Sequence, residues 1–236
     1  MSIAIIITAL LPVAILLFAI YRKDKVSPEP AGQLVKAFGY GMASVLPALA
    51  LATIAGEAGL YSESDSGFGN GIRTAFFGAA IPEETAKLLM LWLLLRRNRF
   101  FDENMDGIVY AVFVSLGFAA LENILCLSNY SSYFLSIGIS RAFTAIPGHL
   151  CFGILMGYYY SLAKFSDNAK NLNKALVWLT PVAAHGVYDG ILFISNVPTI
   201  ISIILSIIFF IFLFWLYKTG RKKIKEHLRR DGIVKN

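Results

Sequence analysis

Long apolar runs constrain this sequence more than any other feature. Several stretches are apolar for about the 20 residues that a helix needs to cross a bilayer. Only 15% of the 236 residues are charged, whereas a soluble domain carries about 25%. Because backbone polar groups in lipid must be paired internally, such runs are expected to be helical. We therefore predict an all-α integral membrane protein and exclude a soluble globular domain.

The apolar runs predict a bundle of about seven transmembrane helices. An acidic, Gly/Ser-rich loop at Gly56–Ile72 separates the second span from the third. The fifth span is too long to cross straight, so we expect a bend near Pro147-Gly148. The predicted spans are Ile3–Ile20, Gln33–Ala55, Arg73–Leu95, Gly107–Leu127, Phe134–Phe165, Lys174–Ile194 and Thr199–Tyr217.

Basic residues predict the orientation. All but three of the 21 Lys and Arg fall on one side of the predicted membrane, the exceptions being Arg73, Lys87 and Arg141. The positive-inside rule then places the N-terminus outside and the C-terminus in the cytoplasm. The net charge of +6 is explained by contact with the lipid bilayer, so we expect no nucleic-acid partner.

Three regions follow from this order of spans. Residues 1–72 would form an N-terminal two-span anchor with an extracytoplasmic loop, and residues 73–194 a catalytic four-span core. Residues 195–236 would form the seventh span and a basic cytoplasmic tail.

The predicted spans contain charged and histidine side chains, each costing roughly 2.5–3.5 kcal/mol on insertion scales and usually marking function. At about 1.5 Å per residue, Glu83, Glu122, His185 and Asp189 fall at similar depths in the outer half of the membrane. We therefore expect them to converge on a hydrated cavity. The charged and histidine residues of the spans are Glu83, Glu84, Lys87, Glu122, Arg141, His149, His185 and Asp189.

Helical spacing suggests how these side chains are used. His185 and Asp189 are four residues apart and share one helix face. Lys87 lies four residues after Glu83 and three after Glu84, and we expect it to neutralise one of the two carboxylates. The two glutamates point about 100° apart, so one is expected to face the cavity and the other to pack.

Several catalytic and transport mechanisms of membrane proteins can be compared with these charged and histidine residues. No GxSxG-like elbow is present for a serine protease, and Asp189 is the one intramembrane aspartate, which disfavours an aspartyl dyad. The HExxH motif is absent, although Glu83, His149 and His185 could ligate zinc. A proton-coupled transporter stays open, because such relays also use carboxylates and histidines. A non-enzymatic membrane protein held by interhelical hydrogen bonds is a further alternative.

The ordered motifs resemble a known family. PEETAK at Pro82–Lys87 is similar to the EExxK motif of PrsW-type glutamic intramembrane proteases, which are related to the CAAX prenyl protease superfamily. FAALEN at Phe118–Asn123 resembles their second motif, and His149 and His185 with Asp189 match the later ones. Glu122 and Asp189 stand where the CAAX branch carries His and Asn, which disfavours prenylated substrates.

The resemblance implies a multi-pass endopeptidase of the bacterial cytoplasmic membrane that uses a glutamate-activated water and no cofactor. Its substrate would be a single-pass membrane protein such as an anti-sigma factor, cleaved near the extracytoplasmic side. Glu83 is favoured as the base, Lys87 and Asn123 would orient the site, and His185 would stabilise the oxyanion with Asp189 fixing its tautomer. The implied catalytic residues are Glu83, Glu84, Glu122, His149, His185 and Asp189.

Overall fold

Helices account for the regular structure of the chain. The computed structural model describes residues 2–23, 28–62, 68–195 and 197–233, and this part of the chain contains no β-strand. Its α-helices are α1 (Ile3–Tyr21), α2 (Ala31–Ala43), α3 (Val45–Glu57), α4 (Phe68–Arg73), α5 (Ile81–Leu95), α6 (Asn104–Asn129), α7 (Phe134–Phe143), α8 (Ala145–Phe165), α9 (Lys170–Phe193) and α10 (Thr199–Arg230). A π-helical segment, Thr74–Ala80, joins α4 to α5, and a short 3-10 turn, Ser131–Tyr133, precedes α7.

The prediction of an all-α membrane protein is confirmed. Among the described residues, six helical segments are long and apolar enough to cross a membrane. The predicted third span consists of α4, the π segment and α5, so it changes helix type along its length. The segments are Ile3–Tyr21, Ala31–Glu57, Asn104–Asn129, Ser131–Phe165, Lys170–Phe193 and Thr199–Arg230.

The predicted loop at Gly56–Ile72 is shorter than expected. Helix α3 continues to Glu57, and α4 already begins at Phe68. Residues 63–67 of this loop lie outside the described part of the chain, as does Asn196 of the turn before α10.

Two prolines divide long apolar runs into pairs of helices. A proline at position i has no N–H for the carbonyl of residue i−4, and its ring clashes with that carbonyl. Helix α2 ends four residues before Pro47, and α7 ends four residues before Pro147. The bend in the fifth span is therefore centred on Thr144 and not on Pro147-Gly148, because the helix is disturbed one turn before the proline.

The π segment depends on Pro82 and on a glycine in α9. Pro82 cannot donate to the carbonyl four residues earlier, which favours a widened turn at this point, and the N–H of Ile81 instead reaches the carbonyl of Phe76 five residues back. The Phe76 ring fills the space beside Gly186, where an added Cβ would lie 2.3 Å from Phe76 Cε1. Gly186 thus lets the π segment approach α9 next to His185.

Helix α6 lies at the centre of the bundle, and glycines bring its neighbours close. A Cβ on Gly41 of α2 would lie 2.0 Å from the carbonyl oxygen of Val114, and one on Gly157 of α8 would lie 2.2 Å from that of Gly107. At such distances only a residue without a side chain fits. The close contacts place Glu122, near the end of α6, between α7 and α8.

Helix α10 runs past its predicted end at Tyr217 and reaches Arg230. The carboxylate of Asp231 accepts hydrogen bonds from the backbone N–H groups of Asn104 (3.0 Å) and Met105 (2.8 Å) at the start of α6. His227 is fully buried against the bundle. The basic tail is therefore helical to Arg230, and its end packs on the protein.

Candidate active site

A cavity of about 560 Å³ lies among the π segment and helices α5 to α10. Its wall includes apolar side chains together with most of the intramembrane charges that the sequence singled out. The charged and histidine residues that line it are Glu83, Glu122, Arg141, His149, His185 and Asp189.

The adjacent glutamates of α5 have different surroundings. The Glu83 side chain is 18% exposed and lines the cavity, whereas that of Glu84 is completely buried behind it. This difference follows from the 100° turn between neighbouring residues of a helix. Oε1 of Glu83 makes no hydrogen bond within the described chain, and Oε2 of Glu84 is a buried atom without a partner there.

Lys87 contacts both glutamates, although its single positive charge can neutralise only one of them. Its Nζ lies 3.1 Å from Glu83 Oε2 and 2.8 Å from Glu84 Oε1. A third contact, at 3.2 Å, is to Nδ1 of His149. The flexible lysine stem spans the 100° between the carboxylates, and all three ammonium hydrogens find a partner. The Nζ also lies 4.1 Å from the centroid of the Phe118 ring.

The lysine contact determines the tautomer of His149. Lysine has donors and no acceptor, so Nδ1 of His149 must accept, and the ring proton of the neutral imidazole lies on Nε2. That Nε2 is 2.9 Å from Oε2 of Glu122 and donates to it. The backbone carbonyl of His149 accepts a hydrogen bond from Ser115 Oγ at 2.7 Å, which fixes this part of α8 against α6.

His185 is held by carboxylates on both ring nitrogens. Its Nδ1 lies 2.8 Å from Glu84 Oε1, and its Nε2 lies 3.1 Å from Asp189 Oδ2 and 4.0 Å from Glu83 Oε2. The residue that holds Nδ1 is therefore Glu84, while Asp189 contacts the cavity-facing nitrogen. Phe152 stacks on the ring with centroids 4.6 Å apart and covers one face of it.

Arg141 connects α7 to the end of α6. Its Nη2 donates to Glu122 Oε1 at 2.7 Å, and its Nε donates to Oδ1 of Asn123. Asn123 is buried, and its amide also contacts the backbone carbonyl of Ala9 at 3.4 Å. Asn123 thus orients Arg141 and does not touch the glutamates of α5.

All eight predicted site residues are described, and they form two groups. Glu83, Glu122, His149, His185 and Asp189 line the cavity, whereas Glu84, Lys87 and Asn123 lie directly behind its wall.

Sequence reasoning gave no role to two parts of the wall. Arg141 was recognised as an intramembrane charge, but its partners lie 18 and 19 residues away along the chain. Helix α10 contributes Ser202, Ser206 and Phe209 to the cavity, so the wall extends beyond residues 73–194. Their helical spacing puts them on one face and is a signal that could have been read from the sequence.

Three donor residues could in principle hold a metal ion. Ligand atoms of Glu83, Glu84 and His149 lie within 4.8 Å of one another, and carboxylates with imidazole are a donor set that zinc accepts. However, Lys87 Nζ lies 2.8–3.2 Å from an atom of each of these residues and takes the position of a cation among them. In the alternative set with His185, both ring nitrogens of that histidine are already bound to carboxylates. The arrangement therefore does not fit a bound metal while Lys87 stays in place.

Comparison with known proteins adds an independent line of evidence. Residues 29–216 match a family described as "PrsW family intramembrane metalloprotease". The chain is 32% identical to Protease PrsW of Clostridioides difficile over 237 residues, covering 99% of this chain and 95% of that protein. It is 35% identical to Protease PrsW of Oceanobacillus iheyensis over 193 residues (80% of this chain, 83% of the relative) and 32% identical to that of Bacillus subtilis over 225 residues (94% and 95%). No solved structure matches the chain.

These matches agree with a multi-pass helical bundle that encloses carboxylates and histidines in a cavity. The relatives are named as proteases and cover nearly the whole chain. The chain belongs to the PrsW family of intramembrane proteases.

Proposed function

We propose that this membrane protease hydrolyses a peptide bond with a water molecule activated by Glu83, without a metal ion. One observation carries the proposal. Glu83 is a cavity-lining carboxylate of which one oxygen is fixed by Lys87 while the other has no hydrogen bond within the described chain. Such a group can accept a proton from water at the place where a substrate would lie.

The proposed reaction begins with a water that donates a hydrogen bond to Oε1 of Glu83. Glu83 takes a proton as the water oxygen attacks the scissile carbonyl carbon, and the carbonyl oxygen becomes a tetrahedral oxyanion. Collapse of this intermediate breaks the C–N bond, and Glu83 returns the proton to the leaving nitrogen. Lys87 keeps Glu83 in position throughout, because it holds the other oxygen at 3.1 Å.

We assign stabilisation of the oxyanion first to Arg141. Its guanidinium lines the cavity, and its bonds to Glu122 and Asn123 leave N–H groups available. His185 can add a second donor when Asp189 turns away from Nε2, which it contacts at 3.1 Å. Glu122 assists by holding Arg141 and His149 on its two oxygens, and His149 completes the polar wall.

We further propose a single-pass membrane protein, such as an anti-sigma factor, as the substrate. The proposal rests on the likeness to PrsW proteases and on the position of the cavity. Glu83 lies near the start of α5, and Glu122 and Asp189 lie near the ends of α6 and α9, so the cavity is offset toward one side of the bundle. The cluster of Arg96, Arg97 and Arg99 lies on the opposite side, which makes the cavity side extracytoplasmic under the positive-inside rule.

The catalytic proposal is tested by Glu83→Gln in liposomes that also contain a membrane-anchored reporter. Loss of a general base lowers the rate by roughly 10²–10⁴-fold, so we expect cleavage to fall by at least about 100-fold. Glu57→Gln removes an exposed carboxylate at the end of α3 and is the matched control. Thermal melting in detergent checks that both variants fold. Wild-type cleavage rates in folded Glu83→Gln would refute the role of Glu83.

The absence of a metal is tested separately on the same reporter. With Lys87 among the donor atoms, we expect chelators to leave the cleavage rate unchanged. Loss of activity on chelation, restored by zinc, would overturn the metal-free mechanism and leave the protease assignment intact.

A further inference from the structure

We propose that a second pocket of this protein binds an anionic phospholipid. The pocket has a volume of about 700 Å³ and is formed by α5, α8 and α9 at the ends of the helices away from the glutamates. Along α5 it runs from Thr85 to Arg96, which is about 16 Å at 1.5 Å per residue. It is therefore elongated along the direction in which a lipid chain lies.

The deeper part of the pocket is apolar. Leu88, Leu89 and Trp92 of α5 line one wall, and Val177 of α9 lines another. The Leu89 and Trp92 side chains are 45% and 46% exposed, so this surface is not covered by the protein. A hydrogen bond of 2.9 Å from Trp178 Nε1 to Thr85 Oγ1 joins the two helices at the inner end. Such a wall suits an acyl chain.

The rim of the pocket is cationic. Arg96, Lys164 and Lys174 lie at the ends of three different helices, all on the same side, and all three are exposed. In the chain as far as it is described, none of them has a carboxylate within 4.0 Å. The charges of Arg96 and Lys174 are therefore available to an anion from outside the protein. Lys164 Nζ donates one hydrogen bond to the backbone carbonyl of Phe101 and keeps its other N–H groups for such an anion.

Two of the three rim side chains lie over aromatic rings. The Arg96 guanidinium lies 5.0 Å from the centroid of Trp92, and Lys164 Nζ lies 3.8 Å from that of Phe101. Their remaining donors can bind phosphate, which the arginine fork recognises with two parallel hydrogen bonds. Tryptophan beside arginine and lysine is also the combination that marks a membrane interface.

Charge selects the lipid. Three cations without a carboxylate partner within 4.0 Å in the described chain favour a net negative headgroup over a zwitterionic one, and basic pockets between helices are a recurring way to bind acidic headgroups. No described residue lines both this pocket and the cavity of the candidate active site. The cationic rim is the more distant end, because Arg96 follows Glu83 by 13 residues along the helix, or about 20 Å.

The test uses purified protein reconstituted in nanodiscs of equal phosphatidylglycerol and phosphatidylcholine, followed by native mass spectrometry of the lipid that stays bound. We expect wild type to retain phosphatidylglycerol preferentially. The double variant Arg96→Gln/Lys174→Gln should lose that retention by roughly tenfold or more, since each basic residue near a headgroup contributes substantially to its binding. The control Arg97→Gln/Arg99→Gln removes two exposed charges on the same side that do not line the pocket.

Three results would overturn the proposal. Wild type could retain both lipids equally, or the two double variants could lose phosphatidylglycerol to the same extent. Displacement of the lipid by millimolar glycerophosphoglycerol would show that the site takes a free phosphate and not a lipid. Each double variant is checked by thermal melting, and Arg96→Gln and Lys174→Gln are measured singly if the pair does not fold.

Discussion

The candidate site has a closed half and an open half, which meet at two neighbouring residues of α5. The closed half consists of Glu84 and Lys87, whose side chains are completely buried. The open half consists of Glu83, Glu122, Arg141 and Asp189, whose side chains are 13–33% exposed and line the cavity. Charges that hold the structure are thus separated from charges that a substrate can reach.

The two histidines connect these halves in the same way. Nδ1 of His149 contacts Lys87, and Nδ1 of His185 contacts Glu84, both in the closed half. Their Nε2 atoms contact Glu122 and Asp189 in the open half. Each ring is therefore fixed from behind while its other nitrogen faces the cavity wall. Because the closed half is buried and the open half lines the cavity, we expect substitutions in the closed half to lower the stability of the protein and those in the open half to lower the cleavage rate.

The largest effect is expected for Lys87→Met, in the closed half. It leaves two carboxylates without their shared cation, and removing one partner of a buried ion pair costs about 3–5 kcal/mol. We expect a large fall in the melting temperature in detergent together with loss of cleavage. Lys36→Met, which removes an exposed lysine of α2, is the control. A stable Lys87→Met protein would mean that the closed half does not hold the bundle.

Arg141→Gln should have the next largest effect, on rate rather than stability. Loss of one donor to an oxyanion lowers kcat by roughly 10²–10³-fold, and we expect kcat to change more than KM. The melting temperature should fall less than for Lys87→Met, because Arg141 and Glu122 are partly exposed (19% and 33%), whereas Lys87 and Glu84 are completely buried. If KM rises and kcat is unchanged, Arg141 binds the substrate and does not stabilise the transition state.

The stabilities of Glu84→Gln and Glu83→Gln test whether the two adjacent glutamates differ as their burial suggests. Glu84→Gln replaces a buried acceptor of Lys87 and His185 with an amide, and an unsatisfied buried group costs about 1–3 kcal/mol. Thermal melting should show this loss for Glu84→Gln and little change for Glu83→Gln. The reverse order of stabilities would exchange the roles of the two glutamates.

Asp189→Asn should have the smallest effect of the series. Asparagine keeps an oxygen that can accept from His185 Nε2, so we expect the stability to change by less than about 1 kcal/mol. A fall of only several-fold in kcat would agree with a residue that positions His185. A loss as large as that of Glu83→Gln would show that Asp189 takes part in proton transfer.

The spans could be predicted from the sequence because the apolar character and length of a segment determine whether it can cross a bilayer as a helix. The bend in the fifth span was predicted at Pro147-Gly148 and lies about one turn earlier, at Thr144. The break at Ser44 was not predicted, since hydropathy does not indicate the missing N–H at Pro47. The π segment was not predicted, because it requires both Pro82 and a partner that makes room for Phe76.

Within the site, contacts between residues of one helix could be predicted from their spacing, whereas contacts between different helices could not. The spacing of His185 and Asp189 predicted that they share one helix face, and in the structure their side chains are 3.1 Å apart. The bond between Arg141 and Glu122 depends on how α7 folds back on α6, and the contact between Lys87 and His149 on how α8 packs. No local pattern encodes those distances.

The wall that α10 contributes to the cavity has a consequence for the biosynthesis of the enzyme. Proteins are made from the N-terminus, so Glu83, Glu122, His149 and His185 can be inserted before α10 leaves the ribosome. Until Ser202, Ser206 and Phe209 reach the cavity, it lacks that side. Completion of the hydrolytic chamber therefore coincides with docking of a late helix, whose far end is fastened to α6 through Asp231. A nascent chain therefore has an incomplete cavity until α10 docks.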